Sequence, residues 1–224
     1  MLIFRSILSI FLREYLLTFR NFYNLLTVIV FFILGILIFV FAIGLDKEIY
    51  SQIGVGIIWT LILLSTNLSI KKLYQDDFND GNLILFYLSG ISLELIVIIK
   101  IIAAWLFFQL PFLIIIPIAC LILNVTTDKI LLLILTFIIS SPVLTALSSI
   151  SGSMNLLNNK NFAIGSVIII LFSIPVIIFS VSIIHSTTEL AKPQLNILLG
   201  ILMLFLAITP WISATCIKIA IRNK

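Results

Sequence analysis

Val28-Ile29-Val30-Phe31-Phe32-Ile33-Leu34-Gly35-Ile36-Leu37-Ile38-Phe39-Val40-Phe41-Ala42-Ile43 carries no charged side chain, and it closes a longer apolar run that begins at Phe22. An apolar helix of about 20 residues matches a hydrocarbon core of about 30 Å. Five more runs of this kind follow: Ile53 to Ile70, Leu95 to Leu123, Ile130 to Met154, Phe162 to Ile184, and Leu195 to Ile217. Only the third contains a charge, Lys100. The whole chain is 62% hydrophobic and 10% charged, with a mean hydropathy of +1.33. Lipid offers no partner for backbone N–H and C=O groups, so each run is expected to be helical. Strands of a β-barrel would alternate polar and apolar residues over about ten positions, and these runs do not. The expectation is an all-α integral membrane protein with six transmembrane helices, forming one domain over residues 1–224.

Loop charges orient the bundle. Arg5, Arg13, Arg20, Lys71, Lys72, Lys160, Lys218, Arg222 and Lys224 fall on one side of a six-span arrangement. Lys47, Lys129 and Lys192 fall on the other. By the positive-inside rule both termini are cytoplasmic, or on the matrix side if the membrane is organellar. The net charge of +4 is this asymmetry and points to no nucleic acid. Residues 1–20 read as an amphipathic interfacial helix rather than a span. Arg5, Ser9, Arg13 and Arg20 share a stripe expected to face lipid headgroups, and the same charges also serve as a topology anchor. Arg13, Glu14 and Arg20 interrupt any signal-peptide core.

Three features inside the spans stand out. Pro111 and Pro117 interrupt the third span, which is therefore expected to kink or break, with a re-entrant turn toward its outer face. Lys100 lies near enough to the cytoplasmic end to snorkel. In the fourth span Ser141, Thr145, Ser149 and Ser153, flanked by Gly152, form a small-residue face. Two readings of that face are open: packing within the chain, or contact with another subunit or a translocation path. His185, the only histidine, sits at the outer end of the fifth span and is a weak haem-ligand candidate. Cys120 and Cys216 form no CxxC pair and read as small buried hydrophobes.

Between the second and third spans lies the charge-dense segment Lys71-Lys72-Leu73-Tyr74-Gln75-Asp76-Asp77-Phe78-Asn79-Asp80-Gly81. Lys72 and Asp76 are spaced i, i+4, which favours a short helix ending at the turn signal Asn79-Asp80-Gly81. The spacing does not fit a calcium loop, because the third ligand position would be Phe78. No glycine precedes Lys-Ser or Lys-Thr, so the chain has no P-loop of its own. Nor is there a nucleophile–base pair or a membrane-embedded carboxylate, and the expectation is a non-catalytic protein. A solvated topology loop is one reading of the segment. The other is a cytoplasmic docking element over residues 71–89, with Lys72, Asp76, Asp77, Asp80 and Gly81 as the partner-coupling residues.

The residues also resemble a known family. Gly56-Ile57-Ile58-Trp59, Leu63-Leu64-Ser65 and Leu73-Tyr74-Gln75-Asp76-Asp77-Phe78-Asn79-Asp80-Gly81-Asn82-Leu83 are similar to haem exporter protein B. Lys100 with Trp105, Leu110-Pro111, Pro117, Pro142, Ile174-Pro175-Val176-Ile177-Ile178-Phe179 and Pro210 to Ile219 continue the likeness along nearly the whole chain. Ala104-Trp105 departs from it, since the family often has His-Trp there.

The resemblance implies a type II ABC exporter-like fold and the permease subunit of the cytochrome c maturation transporter in a bacterial or organellar inner membrane. It implies a cytoplasmic ATPase partner that holds the ATP, together with haem-handling C and D subunits and a periplasmic haem chaperone. No cofactor is expected to be bound covalently, and haem is the implied cargo. Coupled ATP hydrolysis would drive either haem export or release of the haem-loaded chaperone. The alternatives are a permease of another type II exporter, for lipid, polysaccharide or drug, and a non-transporting assembly scaffold.

Overall fold

The computed structural model describes residues 2–20, 22–44, 47–70, 73–157, 162–186 and 188–223. The elements are α1 (Leu2–Arg20), α2 (Phe22–Ile43), α3 (Lys47–Ile70), α4 (Gln75–Asn79), α5 (Asn82–Leu88), α6 (Leu93–Ala104), a π-helical stretch (Trp105–Gln109), α7 (Phe112–Ile122), α8 (Thr127–Asn155), α9 (Phe162–His185) and α10 (Thr188–Arg222). Among the described residues there is no strand. Among the described residues, six stretches are long and apolar enough to cross a membrane: Phe22–Ile43, Lys47–Leu68, Leu93–Ile122, Thr127–Asn155, Gly165–His185 and Glu189–Arg222. The expected all-α membrane architecture is the one observed.

The third span breaks, and the cause is local. Pro111 has no N–H and its ring crowds the carbonyl of Phe107, so the regular i→i−4 ladder cannot pass through it. The chain relaxes by widening: the Leu110 N–H donates to the Trp105 carbonyl at 3.3 Å, five residues back. It restarts tightly, with Leu113 N–H on the Leu110 carbonyl at 3.0 Å. The break falls in the middle of the span rather than near its outer face, and Pro117 stays inside a continuous α7. Pro142, Pro175 and Pro210 are likewise carried within unbroken helices.

Helix α8 is the axis of the bundle, packed against α3, α9 and α10. Its small face is turned into the bundle. Ser141, Thr145, Ser149, Gly152 and Ser153 are all buried within this one chain, so their packing is intramolecular. Close approach of α9 to α8 depends on Gly165. A Cβ there would fall inside contact distance of Ser151 Oγ and 2.7 Å from Asn155 Oδ1. Helix α2 lies at the edge, burying only Val28, Phe32 and Ile36, and its remaining apolar surface faces outward as membrane lipid requires.

The interior divides along the membrane normal. Between α2, α3, α7 and α8 the core is apolar and rich in aromatics, with Phe32, Trp59, Phe112 and Phe137 in a row of ring contacts. At the end of the bundle that carries the chain termini, a second cluster joins Ile10 of α1, Phe78 of α4 and Leu83 of α5 to α6 and to the last turns of α10. Gly165→Val should force α9 away from α8 and cost about 1–3 kcal/mol of stability, as overpacking does. Thermal unfolding in detergent reads the loss as a lowered midpoint.

Candidate functional site

The segment between α3 and α6 folds onto the bundle instead of looping free of it. Gln75–Asn79 forms one short helix. It ends where expected, because Gly81 takes φ +78°, a left-handed conformation that Cβ-bearing residues disfavour. The chain then turns into α5. Tyr74, Asp77 and Phe78 face inward and are buried, while Asp76, Asn79 and Asp80 are exposed.

Asp77 meets two cations. Its carboxylate accepts from the Arg13 guanidinium on Oδ1 and from Lys100 Nζ on Oδ2, and Asn82 Nδ2 adds a contact at 3.3 Å. Lys100 Nζ also donates to Glu14 Oε1 at 2.9 Å, and Arg13 Nη1 donates to the same oxygen at 2.9 Å. Arg13, Asp77, Lys100 and Glu14 thus close a ring of alternating sign, drawn from α1, α4 and α6. Side-chain exposure is 1% for Lys100, 7% for Asp77, 12% for Glu14 and 29% for Arg13. Burial alone would push the Asp77 carboxyl up, but the ammonium of Lys100 and the guanidinium of Arg13 outweigh it and hold it below the usual carboxylate range.

Aromatic and hydroxyl groups extend the ring in two directions. Lys100 Nζ stands 5.8 Å from the centre of the Tyr74 ring, and the Tyr74 hydroxyl bonds to Ser149 Oγ of α8 at 2.7 Å. Burial pushes the Tyr74 phenol up, so it stays protonated. Ser149 Oγ in turn lies 3.2 Å from Ser213 Oγ of α10. On the other side, the Arg13 guanidinium lies over Phe86 of α5. Helix α1 also packs Phe11 and Tyr15 on Phe107, inside the π-helical break. A displacement of α4 therefore reaches α1, α6, the break and α8 through direct contacts.

Several sequence-based expectations change. Asp77 is not part of an exposed docking face; it is the acidic hub of an internal ring. Arg13 turns inward to Asp77 instead of facing headgroups. Lys100 does not snorkel to water, because two carboxylates reach it inside the protein. Asp76 and Asp80 remain available on the surface, and Gly81 supplies the turn that places them there. Lys72 lies outside the described residues. His185 ends α9 exposed, at the opposite end of the bundle from the ring. Glu14, Tyr74 and Lys100 join the site only through the tertiary structure. The available signal was Lys100 itself: a cation in an apolar span needs a counter-charge, and α1 and the loop segment hold the nearest acids.

Removing one member strands its neighbours. Lys100→Met should cost about 3–5 kcal/mol, the usual penalty for leaving a buried charge unpaired. Arg13→Met should cost less, because water reaches that side of the ring; unfolding in detergent ranks the two. Folding lowers the Asp77 pKa, so its contribution is complete above the ordinary carboxylate value of about 3.9 and is lost as pH falls through the lower folded value. Stability of the native chain should hold from pH 7 to about 5 and drop below about 4, and Asp77→Asn should flatten that drop. Midpoints measured across this pH range test the sign.

Comparison with known proteins places the chain. The profile of the CcmB protein family matches residues 5–220. "Heme exporter protein B" of Haemophilus influenzae is 32% identical over 219 residues, covering 96% of this chain and 99% of the relative. The proteins of the same name from Pseudomonas aeruginosa and Bradyrhizobium diazoefficiens are each 28% identical, covering 93% and 85% of this chain and 95% and 87% of their own lengths. With a buried ring at the foot of six apolar helices and a family match over nearly its full length, the chain belongs to the CcmB protein family.

Proposed function

We propose that this chain is the permease subunit of a haem-exporting ABC transporter serving cytochrome c biogenesis. It would sit in an inner membrane with both termini cytoplasmic. The observation that carries the reading is the charge ring. It fixes the loop segment rigidly to α1 and α6 and leaves Asp76 and Asp80 on the outer surface of that rigid piece. A segment held this way can receive a push from a soluble partner and pass it to the bundle, where a wholly solvated loop would absorb it. The sequence has no P-loop, so ATP would be hydrolysed on a separate cytoplasmic subunit that docks at Asp76 and Asp80. Haem-handling C and D subunits and a periplasmic chaperone complete the proposed assembly, and no cofactor is bound covalently to this chain.

Of the two uses for the ATP, release of the haem-loaded chaperone fits this chain better than passage of haem through it. The sole histidine is at a surface end, and the half of the bundle farthest from the ring is filled with apolar side chains. The interior therefore offers an iron porphyrin no imidazole.

Docking and transmission separate by mutation. Asp80→Lys, alone or with Asp76→Lys, should lower co-purification of the ATPase at least about tenfold, or about 1.4 kcal/mol, with the bundle intact. Asp77→Asn should leave co-purification in place and reduce c-type cytochromes on a haem-stained gel. Haem stranded on the chaperone in the latter strain would favour ATP-driven release. Wild-type recovery of the ATPase with Asp76→Lys/Asp80→Lys would remove these carboxylates from the interface.

A further inference from the structure

The interior nearest the ring contains polar side chains that the protein itself does not satisfy. Trp105 Nε1 donates to Ser141 Oγ at 2.9 Å, and Gln109 Nε2 donates to Thr66 Oγ1 at 3.0 Å. Yet Gln109 Oε1, Ser65 Oγ, Ser148 Oγ, Thr209 Oγ1 and Trp59 Nε1 have no hydrogen-bond partner among the described residues. All five residues are buried. They sit on α3, the π-helical stretch, α8 and α10. Thr209 lies one turn before Ser213 on α10, and Ser148 precedes Ser149 in α8. Ser65 is next to Thr66, which holds Gln109.

A buried polar group without a partner is costly, and several in one bundle would be a heavy burden. Another subunit or a lipid cannot relieve it, since these atoms lie inside the chain. A water molecule can, because it makes about three hydrogen bonds and both donates and accepts. The groups are hydroxyls, an amide and an indole, which suit a neutral donor–acceptor and offer nothing to a metal ion or a porphyrin iron. The polar region also has a stop. Trp59, Phe137, Phe112 and Phe32 form a layer with centroid spacings of 6.3, 6.3 and 5.2 Å, and beyond it Ile116, Ala119, Cys120 and Leu133 are apolar and fully buried.

We propose that water is held inside the bundle at Ser148, Thr209, Ser65 and Gln109, as far as this aromatic layer. The bundle is then half wet and half dry, with the π-helical break at the boundary. Water there is independent of what docks on the loop segment.

Thiol accessibility tests it. With Cys120→Ser and Cys216→Ser as background, Ser148→Cys and Thr209→Cys are placed in the wet half, and Ile116→Cys and Leu133→Cys in the dry half. In nanodiscs, a small methanethiosulfonate should modify the first pair at least about tenfold faster, because only thiols that meet water ionise. Equal and slow rates at all four sites would overturn the proposal, and fast rates in the dry half would overturn the stop. Hydroxyl-radical labelling of the unsubstituted protein gives a second reading indole for indole. Trp59 should oxidise at least as fast as Trp211, which is 69% exposed on the outside of the bundle. A silent Trp59 beside a labelled Trp211 would also overturn it.

Discussion

Four charges in a closed ring hold this protein's organisation together. None of them could be buried alone: a carboxylate or ammonium taken out of water loses several kcal/mol that only a well-placed opposite charge returns. Asp77 has two cations and Lys100 has two carboxylates, so each member satisfies more than one neighbour. The ring adds little net stability over an apolar replacement of the same volume, as buried ion pairs generally do. What it supplies is position. A helix lying beside the bundle, a short helix below it and the start of the third span can come together in only one register, because any other leaves a charge stranded.

That register determines what the loop segment presents. With Asp77 turned inward, the next acidic residues on the short helix and its cap turn outward, and Gly81 redirects the chain into α5. The segment is therefore a rigid shelf with an acidic outer surface. Helix α1 leans on the ring through Arg13 and Glu14 and on the broken third span through Phe11 and Tyr15. The proposed coupling role rests on this continuity, since movement of the shelf cannot leave α1 or the break undisturbed.

The break also separates two kinds of interior. Toward the ring, α8 and α10 approach through serines and threonines, and the indole of Trp105 and the amide of Gln109 point at hydroxyls. Away from it, rings and aliphatic side chains fill the space. In lipid there is little hydrophobic force between helices, so close packing and interhelical hydrogen bonds must do the joining. The small-residue half of α8 uses both, and Gly165 shows how near the neighbouring backbone comes.

The six spans, the short helix closing at Gly81 and a fault in the third span were all legible in the order of residues. Each rests on local physics: an apolar run long enough for the bilayer, a glycine able to take positive φ, a proline unable to donate. Which proline would break its span was not legible. Pro117, Pro142, Pro175 and Pro210 carry the same defect as Pro111, and neighbouring helices decide where the freed carbonyl is tolerated. The ring was hidden for a different reason. Its members are far apart in the chain, at 13, 14, 77 and 100, and each had a plausible local role: headgroup contact, interruption of a signal-peptide core, docking, snorkelling. Sequence by itself determined that this is a helical membrane protein with a charged shelf between its second and third spans. Tertiary structure decided which of those charges face each other, because pairing across such separations depends on how α1, α4 and α6 meet, and no local pattern encodes that.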